Sequence, residues 1–363
     1  MMRIELVKRP QQSRFFMVVS PIIALGLTVI IGALLFWLLG KPPLKALYVY
    51  FIEPLTEVWS LHELAIKAGP LILIAVGLSV CYRSNNWNIG AEGQFIAGGI
   101  LGSALPILFP QFQNFATLPL MLALGMIGGA LFGAIPALLK VRFNANEILT
   151  SLMLVYVAQL FLDWLVRGVW RDPQGYAFPG SIRFSPAATI PEIAPSQGSA
   201  HYGFVLAILA ALFIWFFLGK TLKGFEVRVL GLSPRAGRFA GFSASGMVFF
   251  SFMLSGALAG LAGIAEVSGA IGQLREVISP GYGFTAIIVA FLGRLNPIGA
   301  IVAGLILALT YLGGESAQMS LGISDKVARV FQGMLLFFVL GCDTLIQYRI
   351  RLVTGGMKAE GAR

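Results

Sequence analysis

Charged side chains are scarce in this sequence. Asp, Glu, Lys and Arg make up 12% of residues against 57% hydrophobic ones, and the mean hydropathy is +0.84. Soluble domains carry about 25% charge. Residues 93–139 hold no charged side chain at all, which excludes an ordinary soluble domain. Histidine is nearly missing: His62 and His201 stand alone, so no clustered histidine site is available. Cysteine is equally sparse, and Cys81 and Cys342 are too far apart in sequence to suggest a disulfide framework or metal-ligand spacing. No metal site is predicted. The period-2 alternation of a membrane barrel strand is missing as well.

Catalytic signatures fail on inspection. Gly219-Lys220-Thr221 looks like the end of a phosphate-binding loop, but Ile214 stands where that loop needs glycine and an apolar run, not a strand, precedes it. His62-Glu63 lacks the second histidine of a zinc-protease helix, and no Gly-x-Ser-x-Gly elbow occurs. No catalytic residue is predicted.

What the sequence does hold is a series of long apolar runs. A helix needs about 20 apolar residues to cross a bilayer, and its backbone must bond internally there. Ten spans are predicted: 17–39, 68–82, 92–109, 118–139, 147–168, 202–219, 244–266, 281–293, 296–313 and 327–347. The second and eighth are short enough to be partial or re-entrant, so the expectation is an all-α polytopic membrane protein with about 8–10 helices, some broken. The chain reads as one transmembrane domain over 1–363, with tails at 1–16 and 348–363 and a connector at 220–243. The first run is read as a retained helix rather than a cleaved signal.

Basic loops stay cytoplasmic. With both tails inside, 17 of the 26 Lys and Arg fall on inner segments, while Glu53, Glu57, Asp172, Glu192, Glu276 and Glu315 fall outside. The net charge of +10 is therefore a topology signal and implies no nucleic-acid partner.

Two kinds of residue stand out inside the apolar runs. Gly125, Gly129 and Gly133 recur every four residues, as do Gly256 and Gly260, a spacing that lets helix backbones approach closely. Packing within one subunit is the favoured reading; packing on a second transmembrane subunit is the other. The second kind is polar. Arg83-Ser-Asn-Asn-Trp-Asn-Ile-Gly-Ala-Glu-Gly-Gln94 interrupts apolar sequence, and polar groups at membrane depth are costly. Asn85, Asn86, Trp87, Asn88, Glu92 and Gln94 are candidates for a polar path or for caps of broken helices, with Asn146, Glu147 and Asn296 beside similar breaks. Asn296-Pro297 is a helix start, and the two breaks hint at an internal duplication.

The connector from Lys220 to Ser243 carries its own signal. Ser233 as N-cap and Pro234 as first helical residue predict a short helix to about Phe239 that ends at Gly241. Such a helix in a basic loop is a docking element, or else an amphipathic segment on anionic lipid.

Four segments together resemble one family. Asn88-Ile-Gly-Ala-Glu-Gly-Gln94, Asn146-Glu-Ile-Leu-Thr-Ser-Leu-Met153, Leu230-Gly-Leu-Ser-Pro-Arg-Ala-Gly-Arg-Phe-Ala-Gly241 and Gly281-Tyr-Gly-Phe-Thr-Ala-Ile-Ile-Val-Ala-Phe-Leu-Gly293 are similar to the permease subunits of ATP-binding-cassette importers for ribose, branched-chain amino acids and nucleosides. The likeness is strongest to the nucleoside branch, which works with basic-membrane-protein lipoproteins. It implies that Glu226, Arg228, Gly231, Ser233, Pro234, Arg235, Ala236, Arg238 and Gly241 form the loop that couples to an ATPase. It also implies a second permease subunit, a periplasmic or lipoprotein receptor, a bacterial inner-membrane location, and ATP and Mg bound by the ATPase rather than by this chain. Val155 and Thr285 depart from the branch, which often has Asn and an acidic residue there. A simple sugar or a branched-chain amino acid is the alternative solute. An ion-coupled transporter relying on Asp163, Glu266 or Glu92 is the competitor of another class, and an intramembrane enzyme is a third.

Overall fold

In a computed structural model, residues 2–8, 14–176, 178–193, 198–324 and 326–354 are described. Residues 1, 9–13 and 355–363 of the two predicted tails lie outside them. The described chain runs β1 (Met2–Lys8), α1 (Arg14–Leu38), α2 (Pro43–Phe51), α3 (Val58–Arg83), α4 (Ala91–Leu108), α5 (Thr117–Phe143), α6 (Glu147–Arg167), α7 (Gly203–Lys220), α8 (Leu222–Leu232), α9 (Pro234–Phe239), α10 (Ala244–Glu266), α11 (Tyr282–Leu292), α12 (Pro297–Leu321), α13 (Lys326–Gln347) and β2 (Tyr348–Thr354). Each of the ten predicted spans is a helix. Among the described residues, seven helices are long and apolar enough to cross a membrane, and three apolar helices are shorter.

The second predicted span was drawn too short. The charge-free stretch opens at 68, after Glu63 and Lys67, yet α3 has 26 residues. Those polar groups are satisfied: Lys67 Nζ pairs with Glu315 of α12 at 2.8 Å, and Ser199 Oγ donates to Glu63 at 2.9 Å. A partnered charge does not end a membrane helix. The eighth span is short, as expected. At 11 residues α11 rises about 16 Å, roughly half a hydrocarbon core.

α3 is the central post. Its residues Ala68–Tyr82 are buried on every side, the pattern of a helix enclosed by others. The glycine repeats act within the chain, as favoured: Gly129 of α5 meets the backbone of Gly256 and Gly260 on α10, Gly125 meets Gly260, and Gly98 of α4 meets Gly260 from the other side. A side chain at Gly98, Gly129, Gly256 or Gly260 would collide with backbone, and one at Gly125 with Ile264, so α4, α5 and α10 form one tight block. A smaller core of stacked rings, Phe36, Tyr50 and Phe331, ties α1 and α2 to α13.

One element was not foreseen. β1 and β2 pair antiparallel, Met2 opposite Thr354 and Lys8 opposite Tyr348, so an otherwise helical chain closes its two ends in a ribbon. Residues 2–8 and 348–354 therefore lie side by side.

Candidate translocation site

The polar run after α3 folds into a buried lock rather than an open channel wall. Asn85 takes a left-handed conformation (φ +57°) that turns the chain out of α3. Asn86 Nδ2 then donates to Ser84 Oγ at 2.9 Å and to Ser251 Oγ of α10 at 3.1 Å, while its Oδ1 accepts from Lys140 Nζ of α5 at 2.9 Å. Lys140 also pairs with Glu147 of α6 at 2.6 Å. Asn88 and Gln94 exchange amide hydrogen bonds of 2.9 and 3.1 Å, and Asn88 Nδ2 donates to Ser255 Oγ at 3.1 Å. Ile89 N–H donates to Ser151 Oγ of α6 at 3.2 Å. Unpaired polar groups are costly in a water-poor interior, so this network holds the break between α3 and α4 in one conformation.

A second broken helix meets the first. α10 continues through a π-helical turn, Val267–Ile271, and the chain then stays irregular until Gly281, whose φ of +106° suits glycine. The start of α11 has its orphan N–H groups satisfied from two sides: Ser279 Oγ accepts from Gly281 at 3.0 Å and Tyr282 at 2.9 Å, and Glu92 Oε2 accepts from Gly283 at 2.6 Å. A carboxylate at a helix N-terminus is favoured by the peptide dipoles. The connector before α7 straps this break in turn, with Ser181, Phe184 and Ile190 N–H groups donating to the carbonyls of Leu274, Gly272 and Ser268 at 2.8, 2.8 and 3.0 Å.

Where the two breaks meet, a cavity of about 620 Å³ opens. Glu92, Gln159, Ser279, Thr285, Tyr311, Arg329 and Gln332 supply its polar wall, and Val277, Phe284, Ile288 and Leu336 part of its apolar wall. Of the predicted path residues, Glu92 lines it. Asn86, Asn88, Gln94 and Glu147 belong to the lock. Asn146 and Asn296 cap α6 and α12, accepting from Ile148 at 2.9 Å and Ile298 at 3.1 Å. Asn296 also borders two smaller cavities, one shared with Arg83 and Arg228. Trp87 is exposed, stacks on Phe291 and packs at a tilt against Tyr82. Gln159, Ser279, Tyr311, Arg329 and Gln332 were missed, and Thr285 was noticed only as a departure from the family pattern. They lie on separate segments of the chain, and only folding gathers them.

The 220–243 connector forms the predicted short helix. Ser233 Oγ accepts from Ala236 N–H at 3.4 Å, Pro234 opens α9, and Gly241 (φ +83°) follows its end. Glycines seat α8 on its neighbours: Gly224 abuts Leu218 of α7, and Gly231 abuts the Arg83 carbonyl at the end of α3. Glu226 pairs with Lys223 at 2.7 Å, and Arg228 Nε donates to the Gly224 carbonyl at 3.4 Å. Arg235, Ala236 and Arg238 are exposed, flanked by Leu232 and Phe239, which are 88% and 94% exposed.

Of the carboxylates that an ion-coupled carrier would use, Asp163 is spent in an exposed pair with Arg167 at 2.6 Å, and Glu266 is buried on α10.

Residues 60–340 match the family described as branched-chain amino acid transport system / permease component. A glucose ABC transporter permease protein of Haloferax volcanii is 35% identical over 342 residues, covering 91% of this chain and 89% of that one. A guanosine ABC transporter permease protein of Bacillus subtilis is 29% identical, covering 94% and 97%, and a nucleoside ABC transporter permease protein of Lactococcus lactis is 28% identical, covering 89% and 90%. The match over most of the length, together with two broken helices meeting at a polar cavity, establishes that this chain belongs to that family of ABC transporter permease subunits.

Proposed function

We propose that this chain forms half of the membrane path of an importer for a nucleoside or purine-like solute, worked by alternating access. As a member of its family it is a transport component and not an enzyme, ATP hydrolysis belonging to separate ATP-binding subunits, and it is a multi-pass inner-membrane protein. In the proposed arrangement those subunits hold ATP and Mg, a second permease subunit supplies the facing half of the path, and a periplasmic or lipoprotein receptor delivers solute. Both tails and the 220–243 loop lie in the cytoplasm.

The observation that carries the coupling is the exposed helix α9 between two exposed apolar residues, Leu232 and Phe239, on a loop seated directly against the end of α3. Apolar side chains of that size on an aqueous face call for a partner surface. ATP-driven motion of that partner would push α8 against α3, whose end is also the start of the first broken segment, and so reach the cavity through Glu92 and α11. The nucleoside reading rests on the guanosine and nucleoside relatives. A simple sugar is the second reading, favoured by the 35% identity to a glucose permease.

Co-purification tests the coupling. Arg235→Glu and Ala236→Arg should each lower the recovery of the ATP-binding subunit several-fold while the permease stays in the membrane. Normal recovery and normal uptake with both variants would remove the assignment.

A further inference from the structure

One wall of the 620 Å³ cavity is a chain of hydrogen bonds whose directions can be assigned. Thr310 Oγ1 donates to the Leu307 carbonyl at 2.6 Å, so it must accept from Gln332 Nε2 at 3.3 Å. That fixes the Gln332 amide with Oε1 toward Thr285, whose hydroxyl donates to it at 3.4 Å. The Thr285 hydrogen being used, the 2.8 Å contact with Tyr311 has the Tyr311 hydroxyl as donor. Thr285, Thr310 and Gln332 are each at least 95% buried, so the relay is held rigidly. At the cavity this places the Tyr311 oxygen, which keeps a lone pair, beside the Gln332 amide, which lies within hydrogen-bonding reach of it. An acceptor and a donor side by side complement adjacent hydroxyl groups, each of which can both give and accept a hydrogen.

The rest of the cavity fits a neutral solute. Glu92 is engaged by Gly283 N–H, and Arg329 lies at the exposed start of α13, so the lining offers no buried cation to the carboxylate of an amino acid. Phe284 supplies an apolar face for a ring. We propose that the Thr285–Tyr311–Gln332 relay reads the vicinal hydroxyls of the solute as it passes, and so makes this chain selective for ribose-type or hexose-type polyols over amino acids and deoxy analogues. This rests on the reading that the cavity is part of the solute path.

The test is competitive uptake by the whole transporter, with receptor and ATP-binding subunits unchanged, so that any change belongs to this chain. Labelled guanosine is competed with 2′-deoxyguanosine, and labelled glucose with 2-deoxyglucose, at matched membrane levels of permease. Gln332→Leu and Thr285→Val should each raise the KM for the hydroxylated solute about tenfold, the value of one hydrogen bond, and shrink the preference over the deoxy analogue. Thr285→Ser, which keeps the hydroxyl, should keep both. Unchanged KM and unchanged preference in Gln332→Leu and Thr285→Val overturn the relay even if guanosine is the solute. Uptake of glucose but not guanosine overturns the nucleoside reading while the glucose arm still decides the relay. Uptake of leucine alone overturns both.

Discussion

Gly231 of α8 rests against the carbonyl oxygen of Arg83, the last residue of α3, with no room for a side chain between them. The helix pair proposed to receive force is thus in backbone contact with the end of the central post, at the point where the first broken segment begins.

That contact predicts the effect of bulk. Gly231→Val should force α8 away from α3 at a local cost of about 1–3 kcal/mol. Because the strain falls on the loop proposed to couple and on the last residue of α3, outside the buried stretch Ala68–Tyr82, uptake should drop about tenfold or more while the protein remains folded in the membrane. Transport at the normal rate in this variant would show that α8 does not work through α3.

The lock between the broken helices predicts a non-additive pair. Asn88→Leu leaves the buried Gln94 amide without its partner, which costs about 1–3 kcal/mol. In the double variant Asn88→Leu/Gln94→Leu no orphaned side-chain amide remains, and the loss of Asn88 to Gly90 N–H and Ser255 is the same as in the single variant, so its unfolding midpoint in detergent should lie closer to wild type than the sum of the two single effects. Strict additivity would mean that the exchanged amides do not act as a unit.

His201, in the connector before α7, carries a pH dependence. It is 3% exposed, its Nδ1 accepts from Gly203 N–H at 3.1 Å, and burial pushes its pKa from the usual 6.5 down to about 4. The native state keeps the ring neutral, whereas the unfolded chain takes up a proton below pH 6.5. Stability is therefore full above that pH and declines as pH falls toward 4, by about 3 kcal/mol in all. Comparing unfolding midpoints between pH 7.5 and 4.5 checks this: wild type should lose markedly more stability than His201→Gln, and equal slopes would refute it.

Much of this architecture was legible along the chain. The apolar runs place ten helices because a bilayer leaves a backbone no alternative to internal hydrogen bonding. Ser233-Pro234 and Asn296-Pro297 mark helix starts because capping is decided by neighbours within three residues. The glycine repeats were read as close contacts for the same local reason, although their partners were not visible.

The cavity was not legible. Gln159, Thr285, Tyr311 and Gln332 come from four different helices, and nothing in a single helix distinguishes a polar side chain that faces a cavity from one that is merely tolerated. The polar run 84–94 suggested a path, but the fold turned most of it into a lock, because Ser251, Ser255, Lys140 and Ser151 arrive from α10, α5 and α6 to satisfy it.

By itself the sequence determined that the chain is a set of membrane helices and where several of them are capped or broken, since those choices depend on hydropathy and on caps a few residues apart. Only the tertiary structure decided which polar groups are consumed in mutual hydrogen bonds and which remain facing the cavity, because that depends on partners distant in the chain.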